Sequence, residues 1–172
     1  MTKEERLIRD GGPENYDPVL FYGKDDLGSN FSAHVLQMFN PFTGELVRYQ
    51  TGEHRFQAMK AMNNADHEFV RNTPTPAGAK LAGRSIDLRP GWGGNVGDLC
   101  WYVMMETVME KTLQHEDVRD WLECTDRRTI YEDSPTDLVW GWRQGENYSG
   151  RNLLGLCWME TRRILERSII GT

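Results

Sequence analysis

Cysteine is scarce in this sequence: Cys100, Cys124 and Cys157 are the three in 172 residues. An odd count at wide spacing builds no disulfide framework, and reduced, buried thiols are expected instead. The four histidines, His34, His54, His67 and His115, share no ligand-like spacing. With no C-x-x-C pair beside them, no metal centre is expected. Long apolar runs are missing as well. The run Leu153-Leu154-Gly155-Leu156-Cys157-Trp158-Met159 falls far short of the roughly 20 residues that span a bilayer, so no membrane partner is expected. Positive charge is not in excess, since 20 Lys and Arg face 26 Asp and Glu for a net charge of −6. That balance argues against a general grip on duplex DNA, and leaves room for a local basic pocket that takes one phosphate or one nucleotide. The start, Met1-Thr2-Lys3-Glu4-Glu5-Arg6, carries acids and no apolar segment, so no secretory leader is read and a cytoplasmic location is expected. Neither a G-x-S-x-G elbow nor a G-K-[ST] phosphate loop occurs. The stretch Gly91-Trp92-Gly93-Gly94-Asn95-Val96-Gly97 reads as a surface loop.

The length fits one domain with a sizeable core. Residues 1–18 are polar, include Gly11-Gly12-Pro13, and read as an N-terminal arm, with the domain over 19–172. Val19-Leu20-Phe21-Tyr22 reads as a strand. Residues 35–39 and 46–49 read as a hairpin turning at 41–44. A helix is expected over residues 53–61, starting at Thr51 or Gly52. Thr75 is a natural cap and Pro76 suits the first helical position of a short helix that runs to Ala82, where Gly83 suits a left-handed cap. Apolar residues at Trp101, Met104, Met105, Val108 and Met109 form a helical stripe. A helix over 116–124, an extended Ile130-Tyr131, a turn at Ser134-Pro135-Thr136-Asp137 and a last helix over about 152–167 complete the reading. Helices dominate and the strands are short, which gives an α+β fold, mainly α.

Glu53-His54-Arg55-Phe56-Gln57-Ala58-Met59-Lys60-Ala61 carries the clearest chemistry. On a helix, Glu53, Gln57 and Lys60 fall at i, i+4 and i+7, within about 60° of one another. A carboxylate, an amide and an amine on one stripe supply an acid/base, an orienting group and a nucleophile; the same stripe also suits a solvated face. A lysine held near apolar groups loses its charge more readily and can attack an aldehyde carbon. Glu53, Glu132 and Asp137 could form a glycosidase-like carboxylate set, and Asp137 equally suits a turn. Trp92, Trp101, Trp140, Trp142 and Trp158 are core candidates. Trp140 follows a turn ahead of a polar segment over 143–148, where a ring could stack on a base.

Taken together, these pieces resemble the NADAR family, also called YbiA-like. The matching elements are Phe21-Tyr22, Ser29-Asn30-Phe31, Glu53-His54-Arg55-Phe56-Gln57-Ala58-Met59-Lys60 and Ala79-Lys80-Leu81-Ala82-Gly83-Arg84. Trp92, Val103-Met104, Asp137-Leu138-Val139-Trp140-Gly141, Gly150-Arg151-Asn152-Leu153-Leu154-Gly155 and Met159-Glu160 follow in order. The set is specific although each element alone is weak, and it covers residues 21–167. Gly28 stands where the family usually has an aromatic, Ser32-Ala33-His34 where an aromatic tends to follow, and Arg151 where Lys is frequent. The segment between Arg84 and Val103 is built differently, with extra glycines. These differences bear on the substrate more than on the reaction.

The resemblance implies a single compact YbiA-like domain that cleaves an N-glycosidic bond at ribose C1. With the stripe, it implies Lys60 as the amine that captures C1 as a Schiff base, Glu53 as proton shuttle and Gln57 as the group that orients them. Asp137 would hold sugar hydroxyls or assist proton transfer, and Trp140, with Gly141, would border base or sugar. Asn30, Arg84, Arg151 and Asn152 would bind phosphate or ribose oxygens, arginine through its fork of donors. No cofactor is required. The expected substrate is ADP-ribosylated nucleic acid, with ADP-ribose removed from guanine, because the chain carries no riboflavin-synthesis domain and its pocket loops are altered. The alternatives are a phosphoribosylamino-pyrimidine intermediate of riboflavin synthesis, or a non-catalytic ADP-ribose sensor through the same pocket. A protein-interaction module would instead need a large exposed apolar patch. Oligomeric state is not read from the sequence.

Overall fold

In the computed structural model, residues 17–143 and 149–170 are described. Apart from Asp17 and Pro18, the expected N-terminal arm lies outside them, as do residues 144–148 of the polar segment after Trp142. The described residues form six helices and six short strands, the α+β, mainly α fold expected. They cluster into two compact units: residues 23–25 with 29–115, and 17–22 with 26–28, 116–143 and 149–170.

The first unit begins with the hairpin of β2 (Leu36–Phe39) and β3 (Leu46–Tyr49), which pair antiparallel with Leu36 opposite Tyr49 and Met38 opposite Val47. Side chains alternate across a strand, so Leu36 and Met38 are buried while Gln37 and Phe39 face out. Asn40 closes the turn, its Oδ1 accepting from the Phe42 and Thr43 amides. Three short helices follow: α1 (Gly52–Ala58), α2 (Asn64–Arg71) and α3 (Pro76–Ala82). Each starts at a side-chain cap, from Thr51, Asn63 and Thr75 in turn, and Pro76 sits at the first turn of α3 as expected. The fourth helix, α4 (Leu99–Gln114), is long. Leu36, Met38, Tyr49, Ala58, Val70, Ala79 and Ala82 make one apolar cluster. All of α1 is buried, charged residues included. Arg55 is held by Glu106 at 2.5 Å and stacks over Tyr49 at 5.6 Å.

Three local expectations are corrected here. The helix of the E-H-x-F-Q-A-x-K element stops at Ala58, so Lys60 follows in a turn, its amide donating to the Gln57 carbonyl. Gly83 caps α3 with right-handed geometry, φ −64°. Its lack of a side chain has another cause: a Cβ there would meet Gln57 Oε1 at 2.2 Å and Gln57 Cβ at 3.0 Å. On α4 the buried face runs through Cys100, Val103, Met104, Thr107, Val108 and Lys111, while Trp101, Met105 and Met109 are only partly covered. The buried face is rotated from the expected stripe because Lys111 and Thr107 turn inward while Trp101, Met105 and Met109 lie at its edge.

In the second unit β1 (Val19–Phe21) runs parallel to β4 (Ile130–Glu132), and β5 (Trp142–Arg143) pairs antiparallel with β6 (Ser149–Gly150). The helices are α5 (Glu116–Cys124) and α6 (Leu153–Ile170). Trp158 is fully buried, donates from its indole to the Gly28 carbonyl at 2.9 Å, and meets Trp121 edge-on at 5.0 Å. A Cβ on Gly28 would sit 2.8 Å from both Phe21 and Trp121. Those two rings fill the space that a larger residue at position 28 would need. Cys100 and Cys157 are buried as expected, but Cys124, at the end of α5, is exposed.

Candidate active site

Glu53 lies in the first turn of α1, 6 % exposed, and its Oε1 accepts from Gln57 Nε2 at 2.8 Å. The four-residue spacing predicted this contact, and α1 supplies it. Gln57 lies close against Gly83, where a Cβ would meet its Oε1 at 2.2 Å, and among the described residues that Oε1 has no hydrogen-bond partner.

Lys60 stands just beyond. Its ammonium lies 5.8 Å from the Phe56 ring centre and 5.9 Å from that of Trp92, and those rings pack 5.2 Å apart. Burial pushes the Lys60 pKa below its ordinary value; Glu53 and Cys100 act against that, while Arg84 and Lys80 reinforce it. An amine that sheds its proton more easily has a lone pair for bond formation. Glu53, Lys80 and Arg84 are thus the ionic side chains whose fields bear on Lys60. Arg84 is exposed immediately after α3. Arg89, which had no role in the sequence reading, donates its amide to the Lys60 carbonyl at 2.9 Å. The Lys60 backbone is thus held from both sides. Trp92, a core candidate within a stretch read as a surface loop, is buried, 7 % exposed, and forms part of this wall.

Asn30 belongs to the same unit but is turned inward. It is 5 % exposed, its Nδ2 donates to Met104 Sδ at 3.2 Å, and its backbone carbonyl accepts from the Glu53 amide at 2.9 Å. It positions the start of α1.

The remaining expected site residues lie in the second unit, where two motifs prove to be one assembly. The Arg151 amide donates to the Leu138 carbonyl, Asn152 to Gly141, Leu153 to Val139 and Leu154 to Trp140, at 2.8–3.2 Å. The carbonyls of D-x-x-W-G thereby satisfy the amides that open α6, which a helix start leaves without partners. Asp137 Oδ1 accepts from the Val139 and Trp140 amides at 3.1 and 3.0 Å, so the turn role weighed for it is real. Gly141 is buried, and a Cβ there would fall 2.5 Å from Ser134 Cβ and 2.6 Å from the Asp137 carbonyl, so only glycine fits. Asn152 adopts φ 55°, and its amide bridges the backbone of β4, donating to the Ile130 carbonyl at 2.8 Å and accepting from the Glu132 amide at 3.1 Å. The expected role of Asn152 was to bind substrate oxygens; its side chain serves the fold. Trp140 is partly covered, and Arg151 is exposed.

Lys111 was missed altogether. It is 1 % exposed, and its ammonium donates to the Ser29 carbonyl at 2.8 Å and to Ser32 Oγ at 2.7 Å. Its place four residues after Thr107 on the inner face of α4 was the available signal. Among the described residues no group of three or more His, Cys, Asp or Glu could hold a metal ion.

The NADAR domain family matches residues 20–166 of this chain. The chain belongs to the NADAR domain family. It is similar to an N-glycosidase of Nostoc punctiforme, 34 % identical over 140 residues that cover 78 % of this chain and 81 % of the relative. It is similar also to the N-glycosidase YbiA of Escherichia coli, 32 % identical over 152 residues, covering 86 % and 88 %. The solution structure of E. coli YbiA matches with a TM-score of 0.73 at 26 % identity, over 93 % of each chain. Relatives so named support N-glycosidase activity within the NADAR family. Among the described residues no helix is long and apolar enough to cross a membrane.

Proposed function

We propose that this NADAR protein hydrolyses a ribose C1–N bond, removing ADP-ribose from guanine bases of nucleic acid. The observation that carries the reading is Lys60: an amine half withdrawn from water over two aromatic rings, its pKa lowered, in reach of the Glu53 carboxyl. In the proposed reaction the neutral amine bonds to C1 as the bond to the base nitrogen breaks. Glu53, having taken the proton that Lys60 sheds, gives it to the departing base nitrogen, and Gln57 holds Glu53 in place. The C1–ring-oxygen bond then opens as a proton passes from the attached Lys60 nitrogen, through Glu53, to that oxygen, which leaves an imine. Water adds to the imine carbon; the C1–Lys60 bond breaks as the added hydroxyl gives up its proton, releasing the sugar as an open-chain aldehyde and restoring the amine. Arg84 and Lys80 supply positive charge next to Lys60, suited to the phosphates of an ADP-ribosyl group. The roles given above to Asp137, Trp140, Gly141 and Arg151 stand as separate proposals, each open to its own substitution.

The test is to offer ADP-ribosylated DNA and a phosphoribosylamino-pyrimidine side by side, with and without borohydride. Release of free ADP-ribose from the first, and a reduced sugar adduct on the peptide carrying Lys60, are expected. Release from the pyrimidine alone would reassign the substrate. An adduct on another lysine, or full activity in Lys60→Ala, would refute the mechanism. Binding of ADP-ribose with no turnover of either compound would leave only a sensor.

A further inference from the structure

Lysine is almost never fully buried unless its charge is put to use. A methionine at position 111 would fill similar space on α4 without desolvating an ammonium. The ammonium of Lys111 instead ties down one loop at two points, the Ser29 carbonyl and Ser32 Oγ. Between those points sits Asn30, whose carbonyl takes the Glu53 amide at 2.9 Å. Its side chain lies against Gly52, the residue before Glu53, where a Cβ would fall 2.8 Å from Asn30 Oδ1. Met104, about two turns before Lys111 on the same helix, accepts from the other end of that amide at 3.2 Å. Lys111 and Met104 together thus hold the 29–32 loop, and the loop holds the opening turn of α1. Glu53 has its backbone fixed by that loop and its carboxyl fixed by Gln57.

We infer that Lys111 is a positioning residue for the reaction: it fixes the Glu53 carboxyl through the 29–32 loop, without touching substrate. The inference rests on the reading of Glu53 as the proton donor. A reacting group displaced by about 1 Å through a distant change can lose about 10²-fold in rate.

The experiment measures kcat, KM and thermal midpoint for Lys111→Met, Lys111→Arg, Ser32→Ala and Glu53→Gln, and for Lys111→Met and Ser32→Ala combined with Glu53→Gln. The substrate is whichever of the two compounds above the wild type cleaves. Lys111→Met is expected to lower kcat by about 10²-fold with little change in KM. Lys111→Arg, which keeps the donors, should recover part of the loss. Ser32→Ala removes one of the two acceptors, so it should lower kcat several-fold while the protein stays folded; it carries the test if Lys111→Met does not fold. In the Glu53→Gln background neither change should lower kcat much further. Losses that multiply in the double variants would overturn the role of Lys111 and leave Glu53 as the proton donor. Wild-type kcat in Ser32→Ala would overturn it as well. Wild-type kcat in Glu53→Gln would remove the proposed reaction and this inference together.

Discussion

Gly83→Ala is a small change placed directly beside Gln57, the partner of the proposed catalytic carboxyl. The backbone at 83 has φ −64° and ψ −13°, which alanine adopts freely. On that ground alone the change should stabilise by about 0.4–1 kcal/mol, by narrowing the unfolded ensemble. The space works in the opposite direction. The added methyl would lie 2.2 Å from Gln57 Oε1, 3.0 Å from its Cβ and 3.1 Å from its Cδ. Carbon atoms rest at about 3.5–4.0 Å, so the carboxamide must move by about 1 Å. Gln57 is 4 % exposed, with little room to move. Overfilling of this kind costs about 1–3 kcal/mol. The net expectation is a loss of about 0.5–2 kcal/mol, together with a fall in kcat as Gln57 Nε2 is pulled from its 2.8 Å bond to Glu53. The assay is urea unfolding of wild type, Gly83→Ala, Gln57→Ala and the double variant, at unchanged m value. With Gln57 cut back to Cβ, the 2.2 Å and 3.1 Å contacts vanish, and Gly83→Ala should become neutral or stabilising. A coupling of about 1–2 kcal/mol is therefore expected between the two positions. Additivity within about 0.5 kcal/mol would refute the argument that glycine stands at 83 to make room for Gln57.

The Lys60 amine should lose its proton below the lysine value of 10.5, seen as the pH at which an amine-selective label reaches half its limiting rate at that residue. Glu53 favours the ammonium, so Glu53→Gln should move that midpoint lower; Arg84 disfavours it, so Arg84→Gln should move it higher. Two shifts in one direction would disprove the charge arrangement. Asp137→Asn keeps an oxygen for the Val139 and Trp140 amides, whereas Asp137→Ala removes it and should cost about 0.5–1.5 kcal/mol of stability. If Asp137 also moves a proton, Asp137→Asn will be as stable as wild type but slower; equal rates would confine it to the turn. The Glu68 carboxyl is held at about 2, against an ordinary 4.5, chiefly by its hydrogen bonds from Arg71. Its depressed value means the folded state favours the anion. That stabilisation is complete above pH 4.5 and disappears as pH falls toward 2. Glu68→Gln should therefore flatten the acid limb of the stability profile; a limb as steep as in wild type would contradict the assignment.

Much of this protein was legible because local physics decides it. Thr75-Pro76 specified a helix start, alternating Leu36 and Met38 specified a strand face, and the four-residue spacing of Glu53 and Gln57 specified a contact. The sequence reading failed where distant neighbours decide. The end of α1 at Ala58 left no local mark, since Met59, Lys60 and Ala61 all suit a helix. Gly83 was read as a cap because a glycine after a helix is usually one; only the position of Gln57 reveals the close approach. Lys111 was assigned to no face, because a lysine on a helix is ordinarily solvated, and the acceptors that draw it inward lie about eighty residues earlier. Asp137, Trp140, Gly141, Arg151 and Asn152 are each given a substrate role in the sequence reading, and the pairing of residues 138–141 with 151–154 is a matter of backbone carbonyls and amides rather than side-chain type.

Because every residue of α1 is buried, the turn that presents the Glu53 carboxyl is also part of the scaffold. Selection for heat resistance and selection for a new substrate would act on the same seven positions there. Such a segment should drift slowly and change in concerted pairs, Gln57 with Gly83 or Glu53 with its supporting loop. Diversity would then accumulate at exposed positions outside that helix, such as Arg84 and Arg151.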